Sequence, residues 1–421
     1  MRRSRPNVPW SRTPPDTPVA TPSRTVVIAG AGVGGLTSAL SLAHRGLRAV
    51  VLDQAERLDE AGAGIQLSPN ATRILIELGL GDRLRTVAVA PQAVRILRAH
   101  DGREITRIPL ADAATRFGAP YWVIHRGDLQ AALLEAARTH PDIRLALGVR
   151  VDRFAVHQNG VTIKAVRTHP DPNGPAGFDA DGMALIGADG LWSSVRGLLG
   201  DSAPARFARR VAWRAVVPAD MAPAAAREPM VNLWLGRRSH LVHYPVAGGR
   251  LINLVAIADD NWHDQGWSTR SAPTDVLARY RLGAWSRAAR DLIGIPERWL
   301  KWALYDRPPL GRWGDGPITL LGDAAHPMLP FLAQGAALAI EDAAVLAAQM
   351  AANPNDPAQA LRVYEAKRHG RSARMQRTAR RTGTFYHYSG PDAFARNLVM
   401  RKFGGERLLK HYDWIYDWRV T

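Results

Sequence analysis

The chain has 421 residues, of which 46% are hydrophobic and 22% are charged, which excludes a disordered, collagen-like or coiled-coil protein and leads us to expect about two or three domains. The sequence contains no cysteine, which excludes disulfide scaffolds, thiolate metal sites, iron–sulfur clusters and dithiol redox enzymes. The net charge of +17 would attract nucleic acid or anionic substrates, but the arginines are spread along the chain and match no nucleic-acid-binding module.

Strand and helix patterns alternate after a polar start. Residues 1–23 are rich in Pro, Arg, Ser and Thr and have no apolar period, which predicts a disordered, basic tail. The run VVIAG then predicts a strand, residues 34–46 predict a helix that stops at Gly46, and RAVVLD predicts a second strand.

The middle and the end of the chain predict different kinds of structure. Residues 92–110 predict two strands around an Asp-Gly turn, residues 128–140 a helix, and residues 206–262 mostly strands with alternating burial. An apolar helix is predicted over residues 335–350, and the Arg-rich remainder predicts helices that end in the aromatic run HYDWIYDW. Strands interleaved with helices, together with a separate block of antiparallel-type strands, predict two intimately connected domains.

A glycine-rich turn follows the first predicted strand. Gly30, Gly32 and Gly35 have the G-x-G-x-x-G spacing, and Asp53 ends the next strand. Gly30 permits a tight turn, Gly32 lets a pyrophosphate approach the backbone, and Gly35 lets the helix pack closely against the sheet. The free N–H groups at the start of the helix favour phosphate, and Asp53 would accept hydrogen bonds from ribose hydroxyls. This motif predicts dinucleotide binding without separating FAD from NAD.

Two later motifs favour FAD. The segment GADGLWSSVR contains Asp189, Gly190 and Arg196, and the segment ITLLGDAAHP places Gly322 and Asp323 at the end of a strand. Open α/β sheets bind ligands at the carboxyl ends of their strands, where Asp323 can bond the hydroxyls of a ribityl chain, which NAD lacks. A helix follows this loop, and its first amides would stabilise negative charge on the N1–C2=O edge of a reduced flavin. A surface ion pair between Asp189 and Arg196 is the alternative for those two residues.

These three motifs, in this order and spacing, resemble those of the class A flavoprotein aromatic hydroxylases, the para-hydroxybenzoate hydroxylase superfamily, and most of all its salicylate hydroxylase-like branch. The resemblance covers nearly all of residues 25–421. It implies that Arg126 in IHRGDL lies against the ribityl–pyrophosphate portion of FAD, with a structural salt bridge as the alternative. It also implies further residues at the cofactor, namely Gly64, Ile65, Gln334, Gly335 and Ala336.

The implied fold class is α/β (α+β overall), with a discontinuous Rossmann-like FAD-binding domain, a mostly antiparallel β-sheet substrate domain and a C-terminal helical region. The FAD-binding domain is expected over residues 24–91, 122–204 and 310–354. The substrate-binding sheet is expected over residues 92–121 and 205–309, and the helical region over residues 355–421.

The resemblance implies a monooxygenase reaction. NADH or NADPH reduces FAD, the reduced flavin adds O2 to give a C4a-hydroperoxide, and an ionised phenol attacks the distal oxygen. The chemistry belongs to the cofactor, so the protein must orient the ring, exclude water and assist deprotonation of the substrate hydroxyl. We expect no bound metal.

His240 and Tyr244 are the candidate catalytic residues. They lie four apart in a strand-like run, so both face one side of the sheet, while His243 faces the other. The pair matches a His-x-x-x-Tyr pair that flanks the substrate in the 3-hydroxybenzoate and 6-hydroxynicotinate hydroxylases of the family. A histidine could take the phenolic proton directly or through a relay. The alternative is a sheet histidine beside a core tyrosine.

The expected substrate wall is apolar. The GDAAHP segment continues with Met328, Leu329, Pro330 and Phe331, where some relatives place a Gln or His that holds the substrate. We therefore expect Pro330 and Phe331 to form an apolar wall beside the substrate ring. The lack of a Gln or His here argues against a direct transfer of the 3-hydroxybenzoate and 6-hydroxynicotinate specificities to this chain. Arg214 is the candidate partner of a substrate carboxylate, with a solvated arginine as the alternative.

The sequence thus predicts an FAD-dependent, NAD(P)H-consuming aromatic monooxygenase with a small aromatic substrate. Salicylate comes first, with conversion to catechol and release of CO2. The alternatives are hydroxylases of the 3-hydroxybenzoate, 6-hydroxynicotinate, urate or quinolone type and, from a different class, a basic flavoprotein that binds nucleic acid or an acidic partner. We expect a cytoplasmic monomer or homodimer without a membrane span, and no nucleic-acid binding.

Overall fold

The computed structural model describes residues 24–58, 63–169, 177–262 and 269–420. The predicted tail, residues 1–23, lies outside the described residues.

The described residues form 18 strands, 13 α-helices and four short 3-10 helices. The strands are β1 Thr25–Ala29, β2 Arg48–Asp53, β3 Gly64–Leu67, β4 Ala93–Arg98, β5 Glu104–Pro109, β6 Trp122–His125, β7 Ile143–Leu147, β8 Val149–His157, β9 Gly160–Arg167, β10 Gly177–Gly182, β11 Ala184–Gly187, β12 Arg206–Pro218, β13 Met230–Gly236, β14 Ser239–Val246, β15 Leu251–Asp259, β16 Thr269–Ser271, β17 Trp299–Asp306 and β18 Ile318–Leu320. The helices are α1 Val33–Ala43, α2 Pro69–Glu77, α3 Gly81–Val87, α4 Ala113–Phe117, α5 Arg126–Thr139, α6 Ser194–Leu198, α7 Ala224–Arg227, α8 Pro273–Arg279, α9 Arg287–Gly294, α10 Gly335–Ala352, α11 Pro357–Tyr386, α12 Gly390–Lys410 and α13 Asp413–Tyr416.

A five-stranded parallel sheet carries the glycine-rich turn. Its strand order is β18-β11-β1-β2-β7, so strands from distant parts of the chain become neighbours. The central strands β1 and β11 are apolar without alternation and almost entirely buried, because α1 and α5 pack against the sheet and α10 packs on α1. Since β1, β11 and β18 are adjacent, the three motifs that follow these strands meet at one edge of the sheet.

An eight-stranded sheet forms the second layer. Its order is β16-β17-β12-β15-β14-β13-β4-β5, and every pairing is antiparallel except β13 with β4. One face packs around Trp213, Trp285 and Trp299 under α8 and α9. The two sheets and the helices after α10 confirm the predicted fold class.

The C-terminal helices pack against both sheets. α11 contacts α10, and α12 packs along β5. The aromatic end of the chain docks on the protein itself, where Trp414 and Trp418 receive the guanidinium groups of Arg371, Arg368 and Arg374. Among the described residues one helix, α10, is long and apolar enough to cross a membrane, but 67% of it is buried inside the protein as part of the core.

Candidate active site

The glycine turn after β1 leaves one open position. Gly30 has φ +105°, and a Cβ there would lie 2.3 Å from the carbonyl oxygen of Ala188. A Cβ on Gly35 would lie 1.8 Å from the carbonyl oxygen of Gly30. A Cβ on Gly32 would meet nothing within 4 Å. Gly30 and Gly35 are therefore required by packing, while Gly32 borders open space at the N-terminus of α1, where a phosphate can approach.

Asp53 and a residue that the sequence did not single out hold this turn. Asp53 accepts hydrogen bonds from the backbone N–H of Ala31 at 2.6 Å and of Ala55 at 2.8 Å. Gln130, on α5, donates from Nε2 to the carbonyl oxygen of Ala31 at 2.5 Å. Gln130 Oε1 is buried and has no hydrogen-bond partner among the described residues. The sequence could have identified Gln130 by its spacing, because it lies one helical turn after Arg126 and the two side chains therefore share one face of α5.

Asp189 acts locally. Its carboxylate accepts hydrogen bonds from the N–H groups of Ser194 at 2.7 Å and Val195 at 3.2 Å, so it caps α6. Gly190 has φ +78°, which a glycine adopts without strain. The predicted alternative of an Asp189–Arg196 surface pair is wrong, because Arg196 is buried and its guanidinium pairs with Asp201 at 2.6 Å.

Arg196 connects two of the motifs. Its guanidinium donates to the carbonyl oxygens of Ala324 at 3.0 Å and Ala325 at 3.3 Å, in the loop after β18. With Asp201 these contacts use Nε and both terminal nitrogens. The structure therefore favours a positioning role for Arg196, and not the direct cofactor contact expected from the sequence.

The loop after β18 presents Asp323. Gly322 has φ +60° and lies against Ala339 of α10. Asp323 lies deep in the protein, where burial raises the pKa of its carboxyl and the charges of His326 and Arg126 oppose this. Its side chain is nevertheless solvent-accessible, as expected for a residue that lines a cleft. A Cβ on Gly335 would lie 4.0 Å from Asp323 Oδ1, so the first turn of α10 lies beside this carboxylate.

The first amides of α10 remain available on this side. The first helical hydrogen bond runs from Leu338 N–H to the carbonyl oxygen of Gln334, so Gly335 and Ala336 precede it. The side chain of Gln334 is buried and bonds Ser68 and Asn70 at 2.8 and 3.3 Å. Gln334 therefore shapes the loop through its side chain, while the helix start faces the cleft.

A buried ionic cluster supports this loop. Asp342 accepts from Gly322 N–H at 3.2 Å, from His326 at 2.6 Å and from Arg368 at 2.7 Å. Arg368 also bonds Glu341 at 2.6 Å. The sequence did not predict this role of Arg368, because the residue is brought in by α11 from outside the motifs. The cluster ties the loop, α10 and α11 together.

The loop that carries Gly64 and Ile65 reaches the second sheet. Gly64 N–H donates to Asn253 Oδ1 at 2.6 Å, and a Cβ on Gly64 would lie 2.6 Å from Tyr244 Cε2. Ile65 is half-buried beside it in β3. The cofactor-side loop and the expected substrate face are therefore in direct contact.

The eight-stranded sheet presents the predicted catalytic residues together. His240, Val242 and Tyr244 alternate along β14, and β15 pairs Val242 with Val255, which pairs with Arg214 on β12. Arg214 therefore shares the face of His240 and Tyr244, half-buried, with its guanidinium 5.2 Å from the ring centre of Trp302. Burial raises the pKa of Tyr244, and the nearby charge of Arg214 opposes this. His243 points to the opposite face, as predicted.

Phe331 closes over this face. Its ring centre lies 5.6 Å from that of His240, and the guanidinium of Arg210 lies 5.0 Å from it. Phe331 is buried with Leu329, Leu304 and Ile257, and Pro330 is half-buried beside it. The structure thus brings the expected apolar wall next to the expected base.

Two further residues extend from His240, and the sequence did not identify them. His240 Nδ1 lies 2.9 Å from Nε2 of His387, and His387 Nδ1 lies 2.8 Å from Oδ1 of Asp259. Burial lowers the pKa of His240 well below its ordinary value, and the charges of His387 and Arg210 lower it further. His240 is therefore neutral near pH 7.

Comparisons with known proteins identify the family of the chain. The family described as FAD binding domain matches residues 23–379, so the chain belongs to it. The chain is 38% identical over 397 residues to a 3-hydroxybenzoate 6-hydroxylase of Polaromonas naphthalenivorans (strain CJ2), covering 94% of this chain and 96% of the relative. It matches Klebsiella pneumoniae HpxO complexed with FAD and uric acid with a TM-score of 0.80 and 26% identity, over 92% and 95% of the two chains. It matches a salicylate hydroxylase substrate complex with a TM-score of 0.76 and 25% identity, over 94% and 95%.

The fold and the site define a class A flavoprotein aromatic hydroxylase. The chain is an FAD-dependent aromatic monooxygenase, which uses NAD(P)H and O2. Its residues fit FAD: Gly32 borders open space at a helix N-terminus, Gln130 Oε1 is a buried acceptor without a described partner, and Asp323 offers an accessible carboxylate.

Proposed function

We propose that the enzyme hydroxylates the ring of a hydroxybenzoate, with 3-hydroxybenzoate as the first candidate. The observation that carries this proposal is the sheet face that holds a base, His240, packed against Phe331, and a cation, Arg214, beside apolar side chains. A hydroxybenzoate has the matching groups, namely an acidic hydroxyl, a carboxylate and an apolar ring. The 38% identity to a 3-hydroxybenzoate 6-hydroxylase over almost the whole chain supports this order.

Salicylate is the second candidate. The sequence favoured it, and the similarity to a salicylate hydroxylase structure at 25% identity supports it less strongly. The apolar wall of Pro330 and Phe331 had argued against a 3-hydroxybenzoate specificity, but the chain resembles such an enzyme more closely in sequence than the salicylate hydroxylase. That wall therefore does not distinguish the two substrates.

The residues of the chain would bind and orient both reactants. Gly32, the α1 amides and Asp323 would hold FAD, which when bound supplies activated oxygen with electrons from NAD(P)H. Arg214 would pair with the substrate carboxylate, and Phe331 would cover the ring and exclude water. His240 Nε2 would accept the proton of the substrate hydroxyl, which raises the electron density of the ring where oxygen is added.

The direct test is NADH or NADPH oxidation by the FAD-loaded protein with each aromatic acid, together with product analysis. We expect 3-hydroxybenzoate to stimulate oxidation and to give a stoichiometric dihydroxybenzoate. Stimulation by salicylate with an equal yield of catechol would reverse the order of the two candidates. Stimulation by neither acid would reject the hydroxybenzoate proposal, and uric acid would then be the next substrate tested.

Arg214 offers a second prediction. Arg214→Gln removes the charge that would pair with the carboxylate, an interaction worth roughly 1.5–3 kcal/mol, so the KM for 3-hydroxybenzoate should rise about 10- to 100-fold. Arg206→Gln, an exposed arginine on the same strand, is the matched control and should leave KM unchanged. An unchanged KM in Arg214→Gln would remove this residue from substrate binding.

A cytoplasmic location and a monomeric or homodimeric state are also proposals. Cell fractionation and light scattering of the FAD-loaded protein would test them.

A further inference from the structure

We propose that His240, His387 and Asp259 form a proton relay, the histidine relay, which carries the proton of the substrate hydroxyl from the buried ring to a cavity on the protein surface. This inference rests on the proposed function, because it assigns the path of the proton that His240 would accept. The relay joins three elements: β14 supplies His240, the end of α11 supplies His387, and the last residue of β15 supplies Asp259.

The hydrogen bonds of the relay are continuous. The two links, His240 Nδ1 to His387 Nε2 and His387 Nδ1 to Asp259 Oδ1, measure 2.9 and 2.8 Å. His240 Nε2 makes no hydrogen bond within the described part of the chain, and the ring of Phe331 lies beside it. The inner end of the relay is therefore a ring nitrogen without a hydrogen-bond partner among the described residues, and its outer end is a carboxylate.

The carboxylate sets the tautomers of both histidines. Burial alone would raise the pKa of Asp259, but hydrogen bonds from His387 and Arg238 and the charge of Arg210 lower it to about 2. Asp259 is thus ionised and accepts a hydrogen bond from the Nδ1–H group of His387. Neutral His387 then has a lone pair on Nε2, which accepts a hydrogen bond from the Nδ1–H group of His240. Neutral His240 is consequently left with a bare Nε2, the form required of a base.

The transfer balances at each atom. The substrate O–H bond breaks, its electron pair stays on the oxygen, and a bond forms from the proton to His240 Nε2. The proton on His240 Nδ1 passes to His387 Nε2, and the proton on His387 Nδ1 passes to Asp259 and on to water. After oxygen has been added to the ring, reprotonation of the product oxygen by the same path in reverse restores both tautomers.

The surroundings of His240 explain why a relay is needed. Its ring is packed against Phe331, Tyr386 and His387, and the nearest described charges are those of Arg210 and Asp259. Of His240, Tyr280 contacts only the backbone: its hydroxyl donates a hydrogen bond to the His240 carbonyl oxygen at 3.0 Å. Storing a positive charge in this apolar, arginine-flanked position is unfavourable, so the proton must move outward.

The outer end lies at a surface cavity. Asp259 is 26% exposed at its side chain and lines a cavity of about 900 Å³. The cavity wall also contains six arginines, Arg209, Arg210, Arg237, Arg238, Arg279 and Arg281. Their positive potential disfavours retention of the released proton and favours its transfer to bulk water.

The first experiment does not need turnover. In FAD-loaded protein with ¹⁵N-labelled histidine, nitrogen NMR would report the tautomers of His240 and His387, assigned with His240→Gln and His387→Gln. We expect both rings to be neutral Nδ1–H tautomers, and we expect the His240 signals to shift in His387→Gln. An Nε2–H tautomer at either residue would overturn the relay, whether or not a hydroxybenzoate proves to be the substrate.

The second experiment measures proton movement. Glutamine at position 387 can keep both hydrogen bonds but cannot pass a proton, so His387→Gln should slow proton release on binding of 3-hydroxybenzoate, followed with an indicator dye, and hydroxylation, each about 100-fold. KM and FAD affinity should be little changed. In His387→Ala, added imidazoles should restore the rate in proportion to their basicity, which a purely structural role would not produce.

The control is His369→Gln. His369 lies on the same helix and bonds the carbonyl oxygen of Leu310 at 2.7 Å, without a link to His240. It should keep the wild-type proton release and rate. If the wild-type protein hydroxylates a hydroxybenzoate and His387→Gln does so at the same rate, the relay alone is rejected. If the wild-type protein is inactive toward every hydroxybenzoate, the proposed function is rejected.

Discussion

At the scale of single residues, the glycine turn separates packing from ligand binding. Gly35 is held against the backbone of Gly30, while Gly32 lies at the N-terminus of α1 with no described atom near the place of a Cβ. The φ of Gly32 is −71°, which any residue can adopt. A side chain at position 32 would therefore enter the space expected for the cofactor, whereas a side chain at position 35 would collide with the backbone of Gly30.

This contrast gives a prediction. Gly32→Ala should fold with an unchanged melting temperature without FAD and bind FAD at least about 10-fold more weakly, because the methyl group occupies the path of the pyrophosphate. Gly35→Ala should lose stability before any cofactor is added, since a Cβ cannot lie 1.8 Å from an oxygen. Thermal unfolding and FAD titration measure the two effects. Gly197→Ala is the control, because a Cβ there also meets no atom, and it should change neither the melting temperature nor the FAD affinity. An unchanged FAD affinity in Gly32→Ala would contradict the prediction that Gly32 borders the pyrophosphate.

At the scale of elements, α10 and α11 are joined by buried charges. Arg368 is 1% exposed and bonds both Glu341 and Asp342, whose side chains have no exposed surface. Such a cluster is costly to assemble and more costly to break, because removal of one partner leaves a buried charge without compensation. The positions of Gly322 and the FAD-facing loop depend on it through Asp342.

Arg368→Met should therefore lower the free energy of unfolding by roughly 3–5 kcal/mol and weaken FAD binding as well. Denaturant unfolding of the FAD-free protein, followed by FAD titration, would measure both. Arg377→Met, an exposed arginine of the same helix, serves as the control and should leave both quantities unchanged. A loss no larger than that of the control would mean that the cluster contributes little to stability.

At the scale of the whole molecule, buried histidines make folding depend on pH. His243 is 3% exposed, and neither ring nitrogen has a hydrogen-bond partner among the described residues. Burial, with a smaller effect of Arg95, lowers its pKa to about 3. The unfolded chain takes up this proton below about pH 6.5 and the folded chain does not, so His243 destabilises the fold increasingly as pH falls from 6.5 toward 3.

His243→Leu should remove this contribution. Between pH 4 and 6 the free energy of unfolding should rise with pH in both proteins. The slope should be smaller in the variant than in the wild type, and the difference should be about 1.4 kcal/mol per pH unit, the value for one proton. Urea unfolding at several pH values would measure the slopes. The exposed His44, changed to Gln, should keep the wild-type slope. Equal slopes in His243→Leu and wild type would show that folded His243 titrates normally.

The features that the sequence predicted are those formed by residues close together in the chain. The glycine turn, the Asp-Gly and Gly-Asp motifs and the shared face of His240 and Tyr244 follow from spacing along one strand or one turn. His387 and Asp259 could not be found in this way, because 147 residues separate His240 from His387 and 128 separate His387 from Asp259. Arg196 shows a different limit: its motif was recognised, but the direction of its guanidinium depends on the loop after β18.

The late position of β18 and α11 in the chain has a consequence for biosynthesis. Since protein chains fold from the N-terminus as they leave the ribosome, the glycine turn emerges long before Asp323 and His387. A nascent chain therefore displays the glycine turn before the loop expected to bind FAD and the helix end proposed for the relay have emerged. Translation must pass Asp323 before that loop can form, so chains that terminate earlier lack it.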